Sequence, residues 1–247
     1  MGSALPRFTK YAALAFILVF LAGLGGAGIL FPPRPVLAWL ADLNPRVLFY
    51  VDTDQPAVAL TIDDGPSPEL TPRILDLLAK HEARATFFLI GDHIQGNETL
   101  LRRMSAEGHE LANHLQSDEP SIGLSARDFE RQLLHVDSLI AWAGDTKWFR
   151  PGSGLYDPRM LRQLEKHGYR CSLGSFYPLE PLVDSPGLFA EQVLSHIEAG
   201  AIIILHEGGQ ERASTLEVLE RILPEIRARG FRVLTLSELV ALEGAIL

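Results

Sequence analysis

The sequence predicts an α/β fold of about seven mostly parallel strands. Three observations carry this expectation. Short apolar runs recur, the clearest being Ala57–Ile62, Ala85–Ile90 and Ala201–Leu205. Stretches of helical length and amphipathic pattern separate them. The alternation holds over roughly 190 residues, from Ala57 almost to the C-terminus. It fits an incomplete barrel or an open sheet, and in both the functional edge lies at the C-terminal ends of the strands.

Each element has its own signals. Val47–Val51 reads as a short lead-in strand before the turn-like Asp52-Thr53-Asp54-Gln55-Pro56. Ala57–Ile62 is a buried strand, and Glu69–His81 a helix. Ala85–Ile90 is the next strand, with a helix over Glu98–Ala106 and a strand over His109–Asn113. Ser125 caps a helix running to about Trp142, with Asp128 at the capping-box position. Trp148–Arg150 is a short strand. Pro158 suits the first turn of a helix that ends near His167 and Gly168. Tyr169–Leu173 is a strand, Leu188–Glu198 a helix and Ala201–Leu205 a strand. Thr215–Ala228 reads as a long helix that Pro224 should break or bend. Arg232–Leu236 is the last strand, and Ser237 is expected to cap a final short helix.

The chain has 247 residues, 47% of them hydrophobic, enough for one large core. Its net charge of -9, without a Lys/Arg cluster, argues against nucleic acid as a partner. Cys171 is the only cysteine, which excludes an intrachain disulfide, and it reads as a small buried hydrophobe. Arg7 and Lys10 precede an uncharged stretch, Tyr11–Phe31. About 21 helical residues span a bilayer's hydrocarbon core, longer than the apolar part of a signal peptide. The expectation is therefore a single-pass anchor over 11–31. Residues 1–10 would be cytoplasmic, 32–56 a juxtamembrane linker and lead-in strand, and 57–247 an extracytoplasmic domain. Secretion after cleavage at Ala27 or Ala38 is the alternative.

Four strands deliver ionisable residues to the functional edge. Thr61-Ile62-Asp63-Asp64-Gly65-Pro66 ends an apolar run in two carboxylates and a turn. His114 follows the strand His109–Asn113, Arg150 follows Phe149, and His206 follows Leu205. The set suggests metal-assisted hydrolysis. Asp64, His114 and Asp118 are candidate metal ligands, the last two placed on one side of a helical turn by their spacing. Asp63 would take a proton from water, Arg150 would hold Asp63 through a two-pronged contact, and His206 would protonate a leaving amine. Backbone N–H groups around Gly152 and Ser153 would hold an oxyanion.

The stretches Thr61–Pro66, Gly108–Asp118, Phe149–Gly154 and Ile202–His206 resemble, in this order, the motifs of the polysaccharide deacetylases. This family is also called carbohydrate esterase family four, or the NodB homology domain. The resemblance runs from about Ala57 to Leu239 and implies a distorted (β/α) barrel. It implies removal of acetyl groups from N-acetylated sugars in peptidoglycan or a chitin-like polymer, or from O-acetylated polymers. It implies a divalent metal, zinc first, with manganese or cobalt as alternatives. By matching position, Asp63 is the base, Asp64 and His114 are ligands, Arg150 holds the base and His206 is the acid.

The chain departs from that pattern twice. Asp118 stands where the family usually has a second ligand histidine. Gly174-Ser175-Phe176-Tyr177-Pro178 replaces an aspartate-tryptophan motif that tunes the acid and walls the acetyl pocket. Phe176 and Tyr177 would supply the wall, with Leu205 beside the acid, and Glu180 is a stand-in for the missing carboxylate. His109 reads as a packing residue, His93 as a groove candidate, and Glu207 as an orienter of His206 or a solvated acid. A carbohydrate-binding protein that has lost hydrolysis, and an amidase or esterase on a non-polymeric substrate, are the rival readings.

Overall fold

The computed structural model describes residues 32–176, 185–207 and 214–244. The expected anchor over 11–31 lies outside the described residues, as do Tyr177 and Glu180. Among the described residues, no helix is long and apolar enough to cross a membrane.

The strands are β1 (Val47–Leu48), β2 (Ala57–Gly65), β3 (Ala85–Leu89), β4 (Glu110–Asn113), β5 (Trp148–Phe149), β6 (Arg170–Ser172), β7 (Ile202–His206) and β8 (Arg232–Leu234). The helices that cover them are α1 (Arg34–Leu43), α2 (Thr71–Lys80), α3 (Gly91–Ile94), α4 (Glu98–Ala106), α5 (Ala126–Ile140), α6 (Pro158–Lys166), α7 (Pro186–Ser195), α8 (Ser214–Ala228) and α9 (Leu236–Val240). Strand order is β1-β6-β5-β4-β3-β2-β7, with β8 also paired to β2. Every pairing is parallel.

Strand β2 is the axis of the fold. All nine of its residues are buried. Alternation sends Val58, Leu60 and Ile62 outward, into the core shared with Ile74, Leu75, Leu219 and Ile222 of the helices. Ala57 and Ala59 point inward, packing with Phe88, Ala112, Trp148 and Ile202. Thr61 and Asp63 continue that inner row, so β2 lends only small residues to a lower interior filled by Phe88 and Trp148, and a carboxylate reaches the open end.

The sheet curls until its two ends meet. Ser175 N donates to Ile202 O at 3.0 Å, and Ile202 N donates to Ser175 Oγ at 2.9 Å. Ser175 Oγ also donates to Phe49 O at 3.0 Å. A Cβ at Gly174 would lie 2.4 Å from Ile204 Cδ1, so only glycine admits this approach to β7. The result is a partial barrel whose gap is bridged by an irregular segment.

Most helix signals hold. Ser125 Oγ accepts from Asp128 N at 3.1 Å, and the Asp157 carboxylate caps α6 just before Pro158. Pro224 does not end α8, which runs unbroken through it. An interior proline costs about 3 kcal/mol, whereas each fully buried aliphatic side chain returns about 1.5–3 kcal/mol. Leu216, Val218, Leu219, Ile222, Leu223 and Ile226 are all buried on this helix. The last helix is capped by Thr235, not Ser237, through a capping box with Glu238. Ser237 instead donates its hydroxyl to the Glu110 carboxylate. Residues 114–118 form an irregular loop, so the helical turn expected to align His114 with Asp118 is absent.

Candidate active site

Parity on β2 places Asp63 in the barrel mouth. Its neighbour across the β2–β7 pairing is His206, the last residue of β7. Arg150, just after β5, reaches across the interior. Its Nη1 donates to Asp63 Oδ1 at 2.6 Å and to Thr61 Oγ1 at 2.7 Å. Its Nε donates to Ser172 O at 3.2 Å, and its guanidinium stacks 4.1 Å from the centre of the Phe88 ring. Thr61 and Asp63 lie two residues apart on one face, so the single nitrogen Nη1 meets both. The two-pronged contact expected between Arg150 and Asp63 is therefore a one-nitrogen contact, because Nη1 is shared with Thr61 and Nη2 has no partner among the described residues. Arg150 and Asp63 are each buried, a placement that costs several kcal/mol per ion unless the pair is well made.

Asp64 breaks the alternation. Its φ of 70° is left-handed, a conformation uncommon outside glycine that aspartate tolerates better than most residues and that its surroundings hold here. Three consecutive carbonyls are fixed from three directions. Asp63 O accepts from Glu207 N at 3.0 Å and Gly65 O from Ile90 N at 2.9 Å. Asp64 O meets His93 Nδ1 at 2.8 Å, which places a proton on that nitrogen. The twisted turn brings the Asp64 carboxylate to His114, Oδ1 to Nε2 3.3 Å. His114 Nδ1 lies 2.7 Å from Arg150 O, so Nδ1 carries the proton and Nε2 offers its lone pair. Burial, first among the causes, holds the His114 pKa below its ordinary value and keeps the imidazole neutral.

These two donors fit a divalent cation. Two ligand atoms about 2.1 Å from one tetrahedral ion stand about 3.4 Å apart, close to the Asp64–His114 separation. A ligand histidine tied to a carbonyl through its other nitrogen is the usual supporting arrangement. Asp118 is exposed on the neighbouring loop. Among the described residues, no three His, Cys, Asp or Glu side chains form a group arranged to hold an ion.

The other expected residues divide. Gly152 and Ser153 form a tight turn beside the site, with Ser153 at φ 61°. A Cβ on Gly152 would lie 2.9 Å from Glu119 O, so this turn is laid against the loop that carries Asp118. Leu205 faces the helices in the outer core and is fully buried, so it does not face substrate. The reason is parity: His206 points inward, and its predecessor points out. Phe176 is buried in the same core, its ring 6.5 Å from that of His196, and is not an exposed pocket wall. His109 is a packing residue, accepting from Ala85 N at 3.1 Å through Nδ1. Cys171 is buried, and burial pushes its thiol up to about 12, consistent with an inert hydrophobe.

Three functional neighbours were not read from the sequence in these roles. Thr61 shares Arg150 Nη1 with Asp63, a role its position two before Asp63 signals. His93, half-buried, holds the Asp64 carbonyl through Nδ1. Glu207 is fully buried rather than solvated, and its Oε2 accepts from Thr71 Oγ1 at 2.5 Å.

The family model for polysaccharide deacetylase matches residues 50–172. A peptidoglycan-N-acetylglucosamine deacetylase of Bacillus cereus is 33% identical over 206 residues, covering 81% of this chain and 96% of the relative. The chain belongs to the polysaccharide deacetylase family. A chitooligosaccharide deacetylase of Sinorhizobium fredii is 34% identical, covering 75% of this chain and 93% of its own length. Among solved structures, the Bc1960 peptidoglycan N-acetylglucosamine deacetylase superposes with a TM-score of 0.76 at 25% identity, over 81% of this chain and 96% of that one. A family 4 acetyl xylan esterase from Clostridium thermocellum, in complex with a cobalt ion, superposes at 0.69 and 32% identity, over 75% and 91%. Membership places the chain among hydrolases of the polysaccharide deacetylase type, acting on carbon–nitrogen bonds other than peptide bonds.

Proposed function

We propose that this polysaccharide deacetylase is metal-dependent and removes acetyl groups from N-acetylated sugars of peptidoglycan or a chitin-like polymer. One observation carries the reading. A buried Arg150–Asp63 pair stands beside the Asp64–His114 donor pair, with His206 in register with Asp63 on the adjacent strand. A binding protein has no need of a base, its orienter and an acid in one mouth.

The geometry supports one set of roles. Asp64 and His114 would hold the cation, with Asp118 completing the set when its loop closes. Bound there, a divalent ion supplies Lewis acidity to the acetyl carbonyl and to attacking water. Asp63 accepts the proton that the water gives up, and Arg150 keeps that carboxylate aimed. Backbone N–H groups at Gly152 and Ser153 would hold the oxygen that becomes negative. His206 delivers a proton to the sugar nitrogen as the carbon–nitrogen bond breaks. Zinc suits the carboxylate and imidazole donors, and manganese or cobalt would also be accepted. We place the domain outside the cytoplasm, tethered through 11–31.

Acetate release from a panel of N- and O-acetylated glycans, with and without chelator, tests the reading. N-acetylglucosamine polymers should release acetate, and chelator should abolish it. Glycan binding without release would favour the non-catalytic alternative. Release only from small amides or esters would remove the polymer.

A further inference from the structure

The buried Glu207 carboxyl has no role in the chemistry above, yet it lies directly under the site. Its residue is fully buried at the end of β7, one position after the proposed acid. It points away from the mouth, into the space beneath the Asp63–Asp64–Gly65 turn. A Cβ built on Gly65 would lie 1.8 Å from Glu207 Oε1 and 2.7 Å from its Cδ. The carboxyl therefore occupies the volume that any side chain at 65 would take. Its Oε2 accepts from Thr71 Oγ1 at 2.5 Å, and Thr71 Oγ1 in turn accepts from Ser67 N at 2.8 Å. Its backbone N–H holds Asp63 O. One residue thus touches the turn from below, from the strand side and from the start of α2.

We propose that Glu207 is a positioning residue for the Asp63–Asp64 turn. Its carboxyl is a wedge between β7 and Gly65 that fixes the height of both carboxylates relative to His206 and His114. The left-handed backbone at Asp64 explains the need. A strained turn stays in place only if packing determines it from several sides. Glycine at 65 and glutamate at 207 are then two halves of one contact, 142 residues apart in sequence. Burial pushes the Glu207 carboxyl up to about 8, against weaker opposing bonds from Thr71 and Ser67. The wedge is consequently neutral at pH 7 and adds no negative charge beneath Asp64.

The proposal rests on the deacetylase reading, and its test separates the two. Glu207→Ala, Glu207→Gln, Gly65→Ala and the Gly65→Ala/Glu207→Ala double variant are compared for acetate release and for titration with cobalt alone. Glu207→Ala should lower kcat about thirtyfold or more with KM little changed, because misplacing reacting groups costs up to about 100-fold without removing a substrate contact. Cobalt affinity should fall about tenfold, the usual cost of losing support behind a ligand. Glu207→Gln, a neutral group of the same shape, should recover most of both losses. Gly65→Ala alone should be at least as damaging as Glu207→Ala. The double variant should be better than Gly65→Ala, because the alanine methyl enters the vacated space.

Additive losses in the double variant, or a Glu207→Ala enzyme with the parent's kcat and cobalt affinity, would overturn the proposal. If Glu207→Ala does not fold, Glu207→Asp, which withdraws the carboxyl by one methylene, takes its place with the same expected ordering. A parent that binds cobalt but releases no acetate removes the deacetylase reading and leaves the cobalt cycle to decide this one. A parent that binds no cobalt overturns both.

Discussion

Arg150 Nη1 stands 2.6 Å from Asp63 Oδ1, and the two side chains are 3% and 4% exposed. Such a pair is a poor device for stability, since burying two ions offsets most of their attraction. It is a good device for aiming one carboxylate inside a barrel. Asp63→Asn should abolish turnover and spare cobalt binding, because Asp63 lies beside the donor pair and not within it. Arg150→Met leaves a buried carboxylate unpaired and should cost about 3–5 kcal/mol of stability by urea denaturation. Full acetate release by Asp63→Asn would remove it from the mechanism.

His206 is tested by its leaving group. An amine leaves only when protonated, whereas an activated acetyl ester needs little help. His206→Ala should therefore slow amide cleavage about 100-fold or more and ester cleavage far less. Equal losses on the two substrates would show that His206 does something other than donate a proton.

The pH dependence of stability has two opposed contributions. Burial lowers the His109 pKa to about 4 from 6.5, so the unfolded chain binds more protons between those values. Stability from His109 is present above pH 6.5 and is lost as pH falls toward 4. Glu207 runs the other way: its folded value near 8 lies above 4.5, so stability is present below pH 4.5 and is lost as pH rises to 8. His109→Asn should gain on the parent as pH falls from 6.5 to 4, by an amount on the order of 3 kcal/mol. Glu207→Gln should gain on the parent as pH rises from 4.5 to 8. Urea midpoints across pH 4–8 check both, and a pH-independent difference for either variant would refute its assignment.

What could be read in advance follows from what is local. Apolar runs and their spacing give β2, β3 and β7, because strand burial is written in consecutive residues. The acids and histidines at strand ends are legible for the same reason. The side each residue faces is legible only if parity is followed through, which separates Leu205 from His206. Asp64 is different. Its left-handed backbone is imposed by Ile90, His93 and Glu207, and nothing in Asp-Asp-Gly-Pro encodes it. Glu207 looks like a solvated loop acid because its partners, Thr71 and Gly65, are distant in sequence. Spacing misled at Asp118, where four residues suggested a helical turn and the chain forms an irregular loop.

Asp118 is therefore the residue on which the proposed metal chemistry turns. The Asp64–His114 pair is built and buried, whereas Asp118 is exposed on a loop laid against Gly152. A catalytic site generally keeps three protein ligands. We expect the loop to bring Asp118 in when a cation binds, giving two carboxylates and one imidazole. Two anionic ligands neutralise more of the ion's charge, so water at the site should be harder to deprotonate and the pH optimum displaced upward. Carboxylates also favour harder ions, so manganese should be tolerated better than in relatives with two histidines. Asp118→Ala should weaken cobalt binding by about tenfold or more, as loss of even a supporting residue does. Asp118→His should retain binding, shift preference toward zinc and lower the pH optimum of acetate release. Calorimetric titration with zinc, cobalt and manganese reads the binding changes, and a pH profile of acetate release reads the optimum. If the alanine variant binds each ion as tightly as the parent, Asp118 is a loop residue and the cation has only Asp64 and His114.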